Sequence, residues 1–278
     1  MNYVVISTFK TFKNLQKQIN IFEKQKHKPL SWHIFNDSDE EEIKYKTSFP
    51  IKIINGKRNN YWYYKRLAVN LNKVLKSFSK KDWAKIDCVL KLDDDTIITN
   101  NYVEKLTPFV IDSNFGCVSG KILSKIKGKY VNEVRINHYA LGTGMLIRKE
   151  IFDYLKGYPR IAGSDTVINI ASRYLKYQNQ QLNNIVIKQT RPTCSESGTT
   201  RAIATAVKQY YLRYPFIIII LNLRRSNKKL FFSNYKQFKL LTKDVKNEER
   251  LANKGLVNFN RARLIITIFR DLKKKVLS

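Results

Sequence analysis

Short apolar runs alternate with segments of helical periodicity through the first hundred residues, and few folds accommodate that order. Two segments, 12–22 and 67–78, carry apolar residues at the three- and four-residue spacing of an amphipathic helix. The order of strands and helices predicts an α/β domain with a mixed, mostly parallel sheet flanked by helices, whose ligands bind beyond the carboxyl ends of the strands. Apolar runs of strand length cover residues 3–7, 32–35, 51–54 and 88–90.

Composition limits the class of protein. The chain has 278 residues, of which 43% are hydrophobic, so it is long and apolar enough to bury a sizeable core. Its 52 Lys and Arg residues against 22 Asp and Glu residues give a net charge of +30. That charge favours a polyanionic neighbour: nucleic acid, an anionic membrane surface or a phosphorylated ligand. Charge alone does not choose among the three.

Cysteine usage and the N-terminus bear on the compartment. Cys88, Cys117 and Cys194 are widely spaced and lack zinc-site spacing, which indicates reduced thiols. The N-terminus enters a strand-like run with no basic or long apolar leader, so we expect no signal peptide. Both observations favour a cytoplasmic protein.

An acidic run follows the fourth predicted strand. Asp93, Asp94 and Asp95 stand together at its end, where clustered carboxylates repel one another and call for a cation. A hard divalent ion, Mn²⁺ or Mg²⁺, fits oxygen ligands of this kind. If the backbone stays extended, Asp93 and Asp95 project from one side and share the ion. The alternative is a solvated turn before a helix capped by Thr99 or Asn100.

Two further segments carry residues suited to a site. Residues 141–147 contain Gly142 and Gly144, which let backbone approach a ligand or mark a bulge in a strand. Ser164 and Asp165 open a predicted helix, where either one also suits the helix N-cap.

Several short motifs, in the order given below, resemble the family 2 glycosyltransferases of the GT-A (Rossmann-like) fold, over roughly residues 3–190. Residues 4–9 resemble the first-strand element, 35–39 the turn that holds the nucleotide base, and 93–95 the D-x-D motif. Residues 142–150 resemble the glycine-rich strand before a helix, and Ser164-Asp165 lies where the family has Glu-Asp. Residues 91–95 are also similar to β-1,3-galactosyltransferase-type enzymes, although the first forty residues suit family 2 better.

The resemblance implies a role for each matching residue. Asp165 would be the catalytic base, and Asp93 and Asp95 would hold a Mn²⁺ or Mg²⁺ ion. A basic residue near the start of the helix predicted at 67–78, where Lys65 and Arg66 stand, would face the donor diphosphate, or else be solvated surface charge. The implied nucleotide-sugar-binding residues are Thr8, Asp37, Asp39, Lys65, Arg66, Asp93, Asp94 and Gly144.

The chain departs from the family pattern at three places. Asn36 stands at the first acidic position of the base-binding turn, which leaves Asp37 as the base contact. Ser164 replaces the usual Glu. Many metal-using members have a later His that completes the metal shell, and residues 191–195 contain none.

This resemblance implies a metal-dependent enzyme of hexosyltransferase type. It would move a sugar from a nucleotide-diphosphate donor to a hydroxyl of a glycan or lipid-linked acceptor. A single base predicts one displacement with inversion at the anomeric carbon. Paired aspartates with a metal also serve nucleotidyl- and phosphotransferases. A basic nucleic-acid-binding protein is the rival outside enzymes, although no nucleic-acid-binding motif is visible.

The composition shifts after residue 199, which divides the chain into a predicted catalytic domain, 1–199, and a basic, mostly helical extension, 200–278. Within the extension, one predicted helix has apolar residues on one side and basic residues on the opposite side. This pattern is typical of a helix that lies on an anionic membrane. It is equally the pattern of a helix packed on its own domain. The apolar stripe consists of Ile265, Ile268, Phe269, Leu272 and Val276.

Overall fold

The structure is a computed structural model that describes most of the predicted catalytic domain and little of the extension. The side chains of 63–65 are not described. Asp39, Cys194 and most of the extension lie outside the described residues. The described residues are 1–38, 44–56, 63–132, 139–161, 163–191, 214 and 256–265.

Strands and helices alternate through the first half of the chain, as the apolar pattern predicts. The strands are β1 (Tyr3–Phe9), β2 (Ser31–Asn36), β3 (Ile51–Asn55), β4 (Cys88–Lys91), β5 (Thr96–Ile97), β6 (Phe115–Ile126), β7 (Lys129–Val131), β8 (Met145–Arg148) and β9 (Gln178–Gln189). The helices are α1 (Leu15–Glu23), α2 (Tyr63–Lys76), α3 (Lys80–Ala84), α4 (Tyr102–Ile111), α5 (Lys149–Leu155) and α6 (Ser164–Tyr174).

Within the described residues, the strands form one mixed sheet in the order β3-β2-β1-β4-β8-β6-β9-β5, with β7 paired to β6. The neighbours β3, β2, β1 and β4 are all parallel. Strand β8 runs antiparallel to β4 and β6, and the long pairing of β6 with β9 is again parallel. The carboxyl ends of β1, β2 and β4 therefore meet at one edge of the sheet.

The core explains why the first strands read as continuous apolar runs. All seven residues of β1 are buried, as expected for a central strand covered on both faces. Trp32 and Phe22 meet edge to face with ring centroids 5.3 Å apart, which packs α1 against β2. Helix α2 packs on β1 and β2, and α4 and α6 pack on β6. The predicted α/β fold, with a mostly parallel sheet flanked by helices, is confirmed.

Some elements differ from the sequence prediction. Strand β9 is the largest element that the apolar pattern misses, because its sequence, QNQQLNNIVIKQ, is mainly polar. Its Gln181 is nonetheless buried and donates to the Gly120 carbonyl of β6, at 3.4 Å. Asn101, and not Thr99 or Asn100, precedes α4 as its N-cap residue, without a side-chain capping bond.

Two compact units are present, Met1–Arg160 with Ser164–Ser195, and Ile161–Gly163 with Glu196–Ser278. Residues 256–265 of the second unit are helical, with Leu256 buried and Ile265 exposed. No helix in the described part of the chain is long and apolar enough to cross a membrane. The predicted boundary at residue 199 stays a prediction.

Candidate active site

Two buried polar atoms without partners lie where β1 and β2 end. Phe9 and Asn36 are opposite each other in this parallel pair, and the Asp37 amide donates to the Phe9 carbonyl at 2.8 Å. Thr8 and Asp37 are 8% and 5% exposed, yet Thr8 Oγ1 and Asp37 Oδ1 accept and donate no hydrogen bond within the described residues. Because buried polar groups are normally paired, this edge is suited to a polar ligand.

The side chain of Asn36 makes its hydrogen bonds within the protein. Its Nδ2 donates to Asn55 Oδ1 at 3.0 Å, and its Oδ1 accepts from the Ser38 amide at 2.9 Å. The Asn36 amide therefore holds the turn after β2 to β3. The amide of Asn36 is thus engaged within the protein, whereas Asp37 Oδ1 has no hydrogen-bond partner among the described residues.

Arg66 lies beside Asp37. Its Nε is 3.2 Å from Asp37 Oδ2, in an ion pair that lacks hydrogen-bond geometry. The side chain predicted to face a diphosphate thus contacts the predicted base-binding carboxylate. Asp39 and the Lys65 side chain lie outside the described residues.

The acidic run is a tight turn between β4 and β5, not extended backbone. The Thr96 amide donates to the Asp93 carbonyl at 3.1 Å and closes the turn. Side chains of α1 support it, since Gln18 Nε2 donates to the Asp93 and Thr96 carbonyls at 2.9 and 2.7 Å. Asn14 Nδ2 donates to the Asp94 carbonyl at 3.0 Å. The turn is therefore held mainly through its backbone, which leaves the carboxylates for other partners.

Each of the three carboxylates has a cationic partner. Lys91 Nζ lies 2.5 Å from Asp93 Oδ1. Arg191 bridges the other two, with Nη2 at 2.5 Å from Asp94 Oδ1 and Nε at 2.8 Å from Asp95 Oδ2. Burial raises the pKa of the Asp94 carboxyl above its ordinary value, and the Arg191 guanidinium beside it opposes that rise. The positive charge that the sequence predicts from a metal ion is supplied in this structure by the side chains of Lys91 and Arg191.

These carboxylates suit a hard divalent ion by chemistry but not by arrangement. Their oxygens are the ligands that Mn²⁺ and Mg²⁺ prefer. A cation already engages one oxygen of each carboxylate, so an ion bound here would lie close to Lys91 or Arg191. No group of three metal-ligating His, Cys, Asp or Glu side chains occurs in the part of the chain that the structure describes.

The glycine-rich segment touches the acidic turn. Thr143 Oγ1 lies 2.6 Å from Thr96 Oγ1 and accepts from the Asp93 amide at 3.3 Å. Gly144 has φ +62°, and its carbonyl accepts from the hydroxyl of Tyr102 at 2.5 Å. Segment 142–144 thus lies directly beside the acidic turn.

Asp165 lies at the start of α6, next to the glycine-rich segment. A Cβ built on Gly142 would be 3.7 Å from Asp165 Oδ2, an ordinary van der Waals distance, so Gly142 lies beside the carboxylate. Asn169, one turn later, exchanges two hydrogen bonds of 2.9 Å with the backbone of Ala140. These bonds fix the start of α6, and with it Asp165, relative to segment 140–144.

Tyr158 contacts Ser164, the residue before Asp165. Its buried hydroxyl accepts from Ser164 Oγ at 3.0 Å. Burial raises the pKa of Tyr158, the charge of Lys91 lowers it, and the charges of Asp165 and Asp93 raise it. The phenol therefore lies within electrostatic reach of the catalytic candidate and of the first carboxylate of the turn.

Sequence reasoning missed Lys91, Arg191 and Tyr158 as members of this cluster. Lys91 lies two residues before Asp93, and its place next to the acidic run is visible in the sequence. Arg191 is 96 residues from Asp95 in the chain, and no local pattern marks it.

No protein-family model matches the chain, and no curated protein matches it. Solved structures do match. The S. aureus TarS 1–349 structure in complex with UDP has TM-score 0.54 and 12% identity, over 76% of this chain and 65% of that one. Full S. aureus TarS has TM-score 0.52 and 14% identity, over 75% of this chain and 39% of that one.

A third match is to the mannosyltransferase PcManGT from Pyrobaculum calidifontis in complex with GDP-Man and Mn²⁺. Its TM-score is 0.51 at 12% identity, over 96% of this chain and 74% of that one. The chain has a glycosyltransferase fold. It spans about two fifths of TarS and about two thirds of the 1–349 piece.

Proposed function

We propose that this chain is a glycosyltransferase that uses a nucleotide-diphosphate sugar. The main supporting observation is that two buried atoms, Thr8 Oγ1 and Asp37 Oδ1, have no hydrogen-bond partner among the described residues. They lie at the sheet edge that also holds the acidic turn. A carboxylate oxygen and a hydroxyl suit the polar edge of a nucleotide base, whose N–H groups donate to them. The UDP and GDP-Man in the matching structures support a nucleotide at this edge.

Asp165 is the proposed base. It accepts the proton of the acceptor hydroxyl while the acceptor oxygen forms a bond to the anomeric carbon. The bond from that carbon to the phosphate oxygen breaks, and its electron pair leaves with the diphosphate. One displacement inverts the anomeric centre. The position of Asp165 beside the glycine-rich segment and close to the acidic turn supports this role.

The departing diphosphate needs a positive charge beside it. The sequence predicts Mn²⁺ or Mg²⁺ at Asp93 and Asp95, and the Mn²⁺ in the PcManGT complex supports that prediction. An ion so placed would stabilise charge on the phosphate oxygens. The ion pairs of Lys91 and Arg191 support side-chain cations instead. The proposed function holds with either source of charge.

A thermal-shift panel of UDP, GDP, ADP and CDP tests the proposal. A nucleotide at 100 times its Kd stabilises the folded state by about 2.7 kcal/mol, which for a chain of this size raises Tm by roughly 5 °C. We expect one base to give that shift and Asp37→Asn to abolish it. Asp112→Asn, at an exposed helix end, is the matched control.

The product then identifies the reaction. A glycosyltransferase releases a nucleoside diphosphate from the matching nucleotide sugar, whereas a nucleotidyltransferase releases other products. If no nucleotide shifts Tm with or without Mn²⁺, the proposal fails.

A further inference from the structure

Arg191 is anchored beside the acidic turn through its own backbone segment. The preceding residue, Thr190, donates to the Asp95 carbonyl from its amide at 2.9 Å and from its hydroxyl at 3.3 Å. Strand β9 ends one residue earlier and pairs with β5, which directly follows the acidic turn. The position of Arg191 is therefore set by the sheet and does not depend on its side chain alone.

Its guanidinium neutralises two neighbouring carboxylates of the acidic turn. Nη2 and Nε reach Asp94 Oδ1 and Asp95 Oδ2, so one planar group spans two neighbouring carboxylates. The two Asp side chains are 4% and 12% exposed, and a desolvated carboxylate pair requires such compensation. Arginine stays protonated under all ordinary conditions, so this cation is permanent.

A divalent ion would meet like charge at this turn. To share Asp95 it would have to displace Arg191 or bind within a few ångströms of the guanidinium. Lys91 holds Asp93, the other predicted metal ligand, in the same way. The segment where the family resemblance places a metal-binding His begins instead with Arg191.

The guanidinium also has a solvent-facing side. The Arg191 side chain is 43% exposed, whereas the carboxylates beneath it are buried. A guanidinium presents donors in a fork that matches phosphate oxygens. The exposed side therefore suits the diphosphate of a donor bound at the same sheet edge.

We propose that Arg191 takes the place of a divalent metal: it neutralises Asp94 and Asp95 and contacts the donor diphosphate, so donor binding requires no metal ion. This inference rests on the proposed function for its donor, but its charge argument concerns Arg191 and the acidic turn alone.

The first test measures Mn²⁺ binding without any nucleotide, by the electron paramagnetic resonance signal of free Mn²⁺. Wild type should leave Mn²⁺ free, and Arg191→Gln should bind it at least tenfold more tightly, because two buried carboxylates lose their cation. Arg191→Lys keeps a charge and should still exclude Mn²⁺. Arg160→Gln, at an exposed arginine, is the control. Mn²⁺ binding by wild type as tight as by Arg191→Gln would overturn the inference.

The second test measures binding of the matching nucleoside diphosphate by calorimetry in EDTA. Wild type should bind with the same Kd in EDTA and in Mn²⁺. Arg191→Gln should bind at least tenfold more weakly in EDTA and recover when Mn²⁺ is added. Loss of wild-type binding in EDTA overturns the inference but leaves the proposed function standing. Absence of wild-type binding in both conditions contradicts the proposed function. The Mn²⁺ measurement would then still test whether Arg191 excludes a divalent ion from the acidic turn. Circular dichroism of each variant separates unfolding from loss of charge.

Discussion

At the scale of single residues, the site is a set of compensated charges. Asp94, the most buried of the three acidic side chains, accepts from the Lys10 amide at 3.0 Å and from Arg191. Asp165 differs, because its Oδ2 lies beside Gly142 and no ion pair to it occurs among the described residues. A carboxylate whose oxygens are not engaged by a cation can accept a hydrogen bond from an incoming hydroxyl. That contrast supports Asp165, and not the acidic turn, as the proton acceptor.

Replacement of this carboxylate by an amide tests the role directly. Asp165→Asn keeps a side-chain oxygen that can accept from the Thr166 amide, as Asp165 Oδ1 does at 2.8 Å, so the start of α6 should persist. Since general-base catalysis contributes roughly 10²- to 10⁴-fold, kcat should fall by about that factor with nucleotide Kd unchanged. Steady-state transfer assays and calorimetry measure the two quantities. Turnover at the wild-type rate would reduce Asp165 to a helix-start residue.

At the scale of elements, the glycine-rich segment is held by packing from two sides. A Cβ on Gly144 would lie 2.5 Å from Ile187 Cδ1 and 2.9 Å from Tyr102 Oη. Tyr102 fixes the segment further, because its hydroxyl also accepts from the Gly120 amide at 2.9 Å. The conformation of Gly144 is thus required by α4 and β9 together, and with it the approach of Thr143 to the acidic turn.

Two glycine substitutions separate backbone strain from packing. Gly128 also has positive φ, at +82°, but a Cβ there meets nothing within 4 Å. Gly128→Ala should lower the free energy of unfolding by about 1–2 kcal/mol, the cost of left-handed backbone. Gly144→Ala should cost about 1–3 kcal/mol more, because α4 and β9 must move. Urea denaturation measures both. Equal losses would show that the contacts at Gly144 yield without cost.

At the scale of the whole molecule, charge is the dominant property. A net charge of +30 attracts polyanions over distances longer than any single contact. The predicted amphipathic helix could place that charge on a membrane. The described helix at 256–265, however, begins with buried residues, Leu256, Val257 and Asn260. Of the predicted apolar stripe, Ile265 is described and is exposed. A membrane-facing surface on this helix would therefore begin near Ile265.

Vesicle sedimentation tests membrane association. Each Lys or Arg near an anionic surface contributes about 1 kcal/mol, and salt screens that attraction. We expect the full chain to bind phosphatidylserine vesicles, to bind neutral vesicles weakly, and to dissociate as ionic strength rises. Removal of residues 266–278 should weaken binding and leave the buried Leu256 in place. Binding that ignores lipid charge would contradict the prediction.

Local sequence patterns were sufficient to predict the parallel half of the sheet and the location of its acidic turn. Buried central strands need apolar side chains on both faces, and amphipathic helices need a 3.6-residue period, so both leave local signatures that can be read without a partner. The placement of Asp93 after β4 and of Asp37 after β2 follows from those signatures. The motif order pointed to the glycosyltransferase fold.

The ion-pair partners of the acidic turn and the position of β9 could be seen only in the folded structure. Gln181 and Asn179 of that strand are buried because β6 and α6 supply their hydrogen-bond partners, which no period in the sequence announces. Arg191 reaches Asp95 across 96 residues only because β9 pairs with β5. A pattern within a few residues reports what a segment buries, whereas the partner of a buried charge depends on which distant segment the fold brings beside it.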